Sequence, residues 1–380
     1  MRIVKNKNKR RLRNRKSTAA LFIRTMVITF FVFFAIAISG FIIVHALIKA
    51  PDVAQTVKAA NLDKPDSPDS DKTPDHNEAA FLTPDGNQED LNIGNGLQAP
   101  EGFTSDDRKD QFYTFLIIGL DEGVNTDTIM VASYDAVNME ANIISVPRDS
   151  LVNVKRTVKK INAAYPAGTL HGGGREGGVE QLKKEIKTII GFVPDYYVGI
   201  DLNAFVKIVD AIGGVDVEVP LDMKYDDPEQ DLHIKIEQGL QHLDGETALT
   251  FARYRKGNNG RNTISDYQRI ENQQAVIKAV LEKLLKPQSI TKIPEFIDIF
   301  NENVFSDITT GNMFWFARQL NRIKGTEALS TYTMPTNGTS GLPMYYEYLD
   351  EAEIVDLINR TINPFKKDIS VKDLDIIVSG

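Results

Sequence analysis

The stretch Phe112–Asp149, FYTFLIIGLDEGVNTDTIMVASYDAVNMEANIISVPRD, constrains the fold more than any other part of the chain. It holds three short apolar runs, Phe112–Leu120, Thr128–Tyr134 and Ala141–Val146. Their length and their β-branched and aromatic content favour strand over helix. If the second runs antiparallel to the first and the third, three polar segments share one edge of a sheet. These are the end of strand one (Gly119-Leu120-Asp121), the start of strand two (Thr126-Asp127-Thr128) and the end of strand three (Pro147-Arg148-Asp149). The opposite edge carries only the connection Asp135–Glu140. Two carboxylates and an arginine therefore converge at the kind of edge where open α/β sheets place ligands, and this edge is the candidate site.

What precedes the strands reads as a delivery device. Residues 1–16, MRIVKNKNKRRLRNRK, carry lysine and arginine but no acid, and 1–24 form a basic tail. Residues 25–48 contain no Asp, Glu, Lys or Arg and, at about 1.5 Å per residue, are long enough to cross a hydrocarbon core of about 30 Å. Basic residues ahead of such a span keep the N-terminus in the cytoplasm. A cleaved signal peptide competes with an uncleaved anchor, but the apolar region exceeds a usual h-region and no clear small-residue cleavage site follows. Residues 49–110 are rich in proline, aspartate and serine and too poor in apolar residues for a core, so they read as a disordered, acidic, extended extracellular linker. The chain of 380 residues has no cysteine, which excludes a disulfide framework, a thiolate metal site and a thiolate nucleophile. Its net charge of −8 and its outward topology leave no nucleic-acid partner expected, although the basic tail alone would suit one.

Beyond residue 111 the pattern is globular and alternates strands with helices, which predicts an α/β class: a central mixed sheet with helices on both faces. A helix is expected from near Gly177 to Gly191, a strand at Tyr196–Ile200, a helix at Leu202–Ala211 and a strand at Val215–Val219. Asp222–Asp231 reads as a polar stretch. Asp244-Gly245-Glu246 opens a helix over ALTFARYR, and a long helix covers Ile264–Leu285. Residues 111–286 then form the core. Residues 287–367 complete the same domain with helices near Pro294–Phe305, Thr310–Ile323 and Glu351–Ile362 and a strand at Thr331–Met334, leaving 368–380 as a tail.

Four clusters carry the polar chemistry: Gly119-Leu120-Asp121 with Asp127; Val146-Pro147-Arg148-Asp149; Phe251–Gly257 (FARYRKG); and Asp266–Gln274 (DYQRIENQQ). Each has a bland explanation. The aspartates can shape a turn, Arg253 and Arg255 suit a helix C-terminus, and paired glutamines suit an exposed helix face. Their order and spacing, however, resemble the LytR-CpsA-Psr (LCP) family of cell-envelope phosphotransferases. The resemblance also takes in Lys160-Ile161-Asn162-Ala163-Ala164-Tyr165, Gly213-Gly214-Val215-Asp216-Val217 and Leu243-Asp244-Gly245.

That resemblance implies transfer of an anionic glycopolymer, of teichoic acid or capsular polysaccharide type, from a polyprenyl-diphosphate carrier to peptidoglycan as a phosphodiester. It places the protein in the cell membrane of a Gram-positive type envelope. Guanidinium groups match phosphate oxygens as planar forks, so Arg148, Arg253 and Arg255 are expected on the diphosphate, with Lys160 and Gln273 as further contacts. Asp121 and Asp127 would repel a diphosphate unless a hard cation intervened, which makes them the candidate ligands of Mg²⁺, or of Mn²⁺. Arg148, Asp121 and Asp127 are the expected catalytic residues. Phe205, Ile208, Val209, Phe251, Val276 and Val280 are candidate walls of a lipid channel, at a spacing that an ordinary core shares. Two family arginines are missing: Asn125 and Asn272 stand in their places, and Arg156, Arg261 or Arg269 could substitute. The rival functions are a polyprenyl-diphosphate hydrolase, a membrane-bound transcriptional regulator and a non-catalytic envelope scaffold.

Overall fold

In the computed structural model, alternation along β1 (Phe112–Leu120) sends Leu116 and Ile118 to one face of the sheet and Phe115 and Ile117 to the other. The residues described are 50–51, 99–121, 126–227, 232–258, 260–284, 293–320, 322, 328–340 and 344–377. The expected span 25–48 and most of the linker lie outside them, and among the described residues no helix is long and apolar enough to cross a membrane.

Strands β2 (Thr126–Asp135) and β3 (Glu140–Ser145) follow β1 in antiparallel succession, with Leu116 opposite Val131 and Val131 opposite Ile144. The three apolar runs are therefore the three middle strands, as their pattern predicts. On one side of them β4 (Tyr196–Ile200) pairs parallel to β1; on the other a late strand, Leu329–Thr333, pairs parallel to β3. Val304–Ser306 pairs antiparallel to β4 and closes a six-stranded mixed sheet. Because the parallel partners run in the same sense, Ile200 and Thr333 end at the edge where Leu120 and Ser145 end.

One face of this sheet packs on α1 (Gly174–Ile190) and on the late helix Glu351–Thr361. Leu182, Ile186, Ile354 and Ile358 meet Leu116, Ile118, Val131 and Ile144 in a fully buried core. Gly191 ends α1 in a left-handed conformation, φ 84°, which a residue without Cβ adopts at low cost. The other face looks toward α2 (Leu202–Ala211), α3 (Gly245–Arg253) and α4 (Asp266–Leu284). These helices share a second core with β5 (Val215–Val219), β6 (Met223–Asp227), β7 (Leu232–Ile236) and β8 (Gly239–Leu243). The four strands form two separate hairpin-like pairs, β5 with β8 and β6 with β7. The stretch Asp222–Asp231, a polar stretch by its sequence, thus contains the whole of β6. Met223, Tyr225, Ile234 and Ile236 supply the alternating apolar side that its acidic composition hides.

Two boundaries move outward from their expected places. Residues 99–110, assigned to the linker, are held on the domain: Arg108 is buried against Asp195 at 2.6 Å, and Phe103 meets Phe365 edge-on at 4.9 Å. The tail also enters the fold, since Ile369 is buried in the main core and Ile376 bridges to Val152. In both cases a few scattered apolar residues and one buried charge do the anchoring, too sparse to register as periodicity. The C-terminal part comprises α5 (Ile293–Asn303), β9 (Val304–Ser306), α6 (Thr310–Leu320), β10 (Leu329–Thr333), a hairpin of β11 (Thr336–Ser340) and β12 (Tyr346–Leu349), and α7 (Glu351–Thr361). The helix expected to Phe305 stops at Asn303, because Val304–Ser306 joins the sheet instead.

Candidate active site

The edge shared by β1, β2 and β3 does gather the expected residues, and a bulge sharpens the arrangement. Gly119 pairs with Thr128 but Leu120 with Thr126, so Asp127 is the extra residue on β2. Such an insertion bends the strand and re-aims a side chain, and here it turns Asp127 toward the segment after β3. Arg148 Nη1 donates to Asp127 Oδ1 at 3.0 Å. The same guanidinium lies 3.9 Å from Asp149 and 3.8 Å from Asp266, the first residue of α4. Lys160 Nζ donates to Asp149 Oδ1 at 2.8 Å, and Arg269 Nη2 sits 2.9 Å from Asp266 Oδ1. One connected network of charges therefore joins the ends of β2 and β3 to the first turn of α4, more than 100 residues further along the chain.

Between the sheet and α2, α3 and α4 runs a cavity of about 730 Å³. Its wall follows β1 from Phe115 to Leu120, a length of roughly 17 Å at about 3.4 Å per strand residue. Deep in it the lining is apolar, with Ile117, Ile143, Phe205, Ile208, Val276 and Val280 among its residues. At the β1–β2–β3 edge the lining becomes charged: Asp121, Asp127, Arg253, Arg255, Arg269 and Gln273. The expected wall residue Phe251 is not part of it. One step around α3 from Arg253 and Ala252, which line the cavity, Phe251 faces the second core and is fully buried there.

Not every expected contact reaches the mouth directly. Arg148 and Lys160 do not line the cavity; Arg148 stands one ion pair behind its wall, and Lys160 stands behind Arg148 through Asp149. Arg255 lies beyond α3 rather than inside it, since Tyr254 leaves the helix with ψ 138°. No described carboxylate forms an ion pair with Arg253 or Arg255, and both side chains are exposed. Gln274, paired with Gln273 in sequence, has a structural task. Its amide donates to Ser145 Oγ at 2.9 Å and to the Tyr332 carbonyl at 3.0 Å, pinning α4 to the sheet.

Arg269 is the residue that sequence reasoning left only as a substitute. It is 4% exposed, lines the cavity, and its Nε has no hydrogen-bond partner among the described residues. Burial pulls its guanidinium below the ordinary range; Asp266 opposes that, while Arg148 and Arg255 add to it. A buried cation facing two others, with an unused donor, is arranged for an anion. The signal was available: Arg269 precedes Gln273 by four residues, one helical turn, so the two share a face. Of the other substitutes, Arg156 is committed to Glu185, a buried carboxylate, and to the Lys160 carbonyl, while Arg261 is exposed and away from the wall. Asn272 is buried outside the wall, and Asn125 lies outside the described residues.

Asp121 and Asp127 supply hard oxygen donors at one mouth, which suits Mg²⁺ better than a softer metal. Among the described residues no three His, Asp or Glu side chains are grouped to hold a metal. Two carboxylates completed by phosphate oxygens and water is the arrangement that such a cation commonly takes.

A deep apolar cavity whose mouth carries arginines and acids sets apolar walls and charged groups side by side in one site. Comparison narrows the class: the LytR_cpsA_psr family model matches residues 81–363, and the chain belongs to that family. It is similar to a teichoic acid transferase of Bacillus subtilis, the polyisoprenyl-teichoic acid–peptidoglycan teichoic acid transferase TagV. The two are 27% identical over 53% of this chain and 51% of the relative. It is likewise 27% identical to the regulatory protein MsrR of Staphylococcus aureus, over 60% of this chain and 66% of the relative. The alignments thus span about half to two thirds of these relatives' lengths. Protein gbs0355 of Streptococcus agalactiae shares the fold, with a TM-score of 0.58 at 22% identity over 70% of this chain and 92% of that one.

Proposed function

We propose that this protein transfers an anionic glycopolymer from a polyprenyl-diphosphate carrier to a hydroxyl of peptidoglycan, forming a phosphodiester. In this reading residues 25–48 anchor the chain in the cell membrane and the catalytic domain faces outward, where both substrates are found. The observation that carries the proposal is the cavity, largely apolar in its lining, with Arg253, Arg255 and Arg269 set among the carboxylates Asp121, Asp127, Asp201 and Glu246. A polyprenyl chain fits the apolar part, and its diphosphate then falls at the mouth. The name of the Bacillus subtilis relative, a teichoic acid transferase acting on peptidoglycan, supports the same substrates.

Arg253, Arg255 and Arg269 grip the diphosphate and orient it, and Gln273 adds a neutral donor. Arg148 neutralises charge that builds on the phosphoryl oxygens and holds Asp127 in place. The acceptor oxygen forms a new bond to the polymer-bearing phosphorus. The bond from that phosphorus to the bridging oxygen breaks, and polyprenyl monophosphate leaves toward the cavity. The acceptor proton passes to a carboxylate at the mouth, Asp121 or Asp127. Mg²⁺ held by these two would shield the diphosphate from them and favour the leaving phosphate, with Mn²⁺ as a substitute. Catalysis is then mostly positioning and charge neutralisation, as phosphoryl transfer generally requires.

The test is a reaction of the detergent-solubilised full chain with a polyprenyl-diphosphate-linked polymer and uncrosslinked peptidoglycan. The expected product is polymer-bearing glycan, with polyprenyl monophosphate released one for one. Free phosphorylated polymer, formed equally with and without peptidoglycan, would instead identify a hydrolase. The name of the Staphylococcus aureus relative favours regulation as the second reading. Proteolysis of intact cells separates the two, since a protected C-terminal domain would point to regulation from the cytoplasm.

A further inference from the structure

Next to the segment that carries Arg148, and outside the cavity lining, lies a second constellation. Glu347 of β12 is 3% exposed and is fixed by its backbone to the segment that carries Arg148. Its N–H donates to the Asp149 carbonyl at 3.0 Å, and its carbonyl accepts from Leu151 N–H at 2.9 Å. Two tyrosines flank its carboxylate: Tyr345 donates to Oε1 and Tyr267 to Oε2, each at 3.4 Å. Tyr267 follows Asp266 on the first turn of α4, so one turn of helix reaches Arg148 on one side and Glu347 on the other. Lys160 Nζ sits 5.9 Å from the centre of the Tyr345 ring while bonded to Asp149.

Packing alone does not account for this cluster. Tyr267 and Tyr345 are 43% and 48% exposed, large amphipathic rings left open to solvent beside a carboxylate that is nearly buried. None of the three residues lines the cavity. Burial, reinforced by Asp266 and Asp149, raises the Glu347 carboxyl above its ordinary range, while the tyrosine hydroxyls work against the rise.

In-line phosphoryl transfer requires the attacking oxygen to enter opposite the leaving oxygen. Resting on the donor assignment above, polyprenyl phosphate departs into the cavity, so the acceptor must approach from outside it. We infer that Tyr267, Tyr345 and Glu347 form the acceptor subsite, which takes a carbohydrate: a peptidoglycan glycan strand laid against the two rings with a hydroxyl on the Glu347 carboxylate. Aromatic faces suit the apolar side of a sugar ring, and their hydroxyls and the carboxylate suit its polar rim.

The assay uses the detergent-solubilised full chain, a polyprenyl-diphosphate-linked saccharide and short uncrosslinked peptidoglycan chains. Tyr345→Ala removes an exposed ring with little at stake for folding, and Glu347→Gln keeps the shape while removing the charge. Each is expected to raise the acceptor KM about tenfold, the equivalent of one lost aromatic or polar contact. Donor KM is expected to stay at its wild-type value. Unchanged acceptor KM in both variants, with wild-type enzyme active, overturns the subsite alone. Equal losses of donor and acceptor binding also overturn it, because that pattern means general damage to the site. If wild-type protein consumes no donor at all, the transferase reading falls and the subsite falls with it.

Discussion

Replacing Arg148 by alanine separates its chemical role from its structural one. Its guanidinium meets Asp127 at 3.0 Å and stands near Asp149 and Asp266, so the variant removes one cation from among three acids. Two of those acids keep a partner: Asp149 retains Lys160 at 2.8 Å, and Asp266 retains Arg269 at 2.9 Å. Only Asp127 loses its direct ion pair, and its side chain is 36% exposed, so water screens what remains. The stability cost is then below about 1 kcal/mol, a fall in Tm of no more than about 4 °C. The catalytic cost is larger, because one preorganised donor to developing phosphoryl charge is worth about 3–4 kcal/mol, or 10²–10³ in kcat. Release of polyprenyl monophosphate measures turnover, and a thermal melt of the same sample measures fold. Turnover within about threefold of wild type, equivalent to about 0.65 kcal/mol, would refute the role given to Arg148. Lost turnover with a melt lowered by many degrees would refute the claim that its role is not structural.

Arg156→Ala is expected to behave in the opposite way: it strands Glu185 in the interior and costs about 3 kcal/mol of stability, yet leaves turnover per folded molecule unchanged. Ile277→Trp narrows the cavity beside β1 and is expected to raise the donor KM by about tenfold or more, with a wild-type melt and an unchanged acceptor KM. Chelation of divalent metal is expected to cut turnover by about 10² or more, restored by Mg²⁺ or Mn²⁺; Asp121→Asn and Asp127→Asn should be insensitive to the chelator because little activity remains to lose. Glu347 gives a pH signature. Its carboxyl is raised on folding, so folding favours the neutral form; that stabilisation is complete below the ordinary glutamate range and fades as pH climbs through the raised value. Glu347→Gln should therefore flatten the fall in Tm just above the ordinary glutamate range, and a wild-type slope there would contradict the assignment.

Much of the site could be read from the sequence because it is built on strand ends. The apolar runs around Ile118, Val131 and Ile144 set register by burial, and register fixes where Asp121, Asp127 and Arg148 emerge. Apart from Arg269, whose helical spacing to Gln273 is a local signal, the features that the sequence hides obey no short-range pattern. The bulge that turns Asp127 shows only in pairing, β6 is masked by its own acids, and β7 is a five-residue strand broken up by His233 and Lys235. Phe251 and Val276 looked alike as wall candidates, both apolar and helical, but only their rotation against the sheet decides which one faces the cavity. Glu347 and Tyr345 sit in a hairpin after β10, more than 190 residues from Arg148 in sequence, and only the parallel pairing of β10 with β3 brings them back to the site.

The central claim is that the apolar cavity and its charged mouth hold a single polyprenyl-phosphate lipid. Native mass spectrometry of the full chain, extracted from membranes in mild detergent, tests this most directly. The account predicts one bound polyprenyl phosphate or diphosphate per chain, largely lost in Arg269→Gln. A chain that emerges lipid-free, or carrying ordinary phospholipid that Arg269→Gln retains equally well, would contradict it.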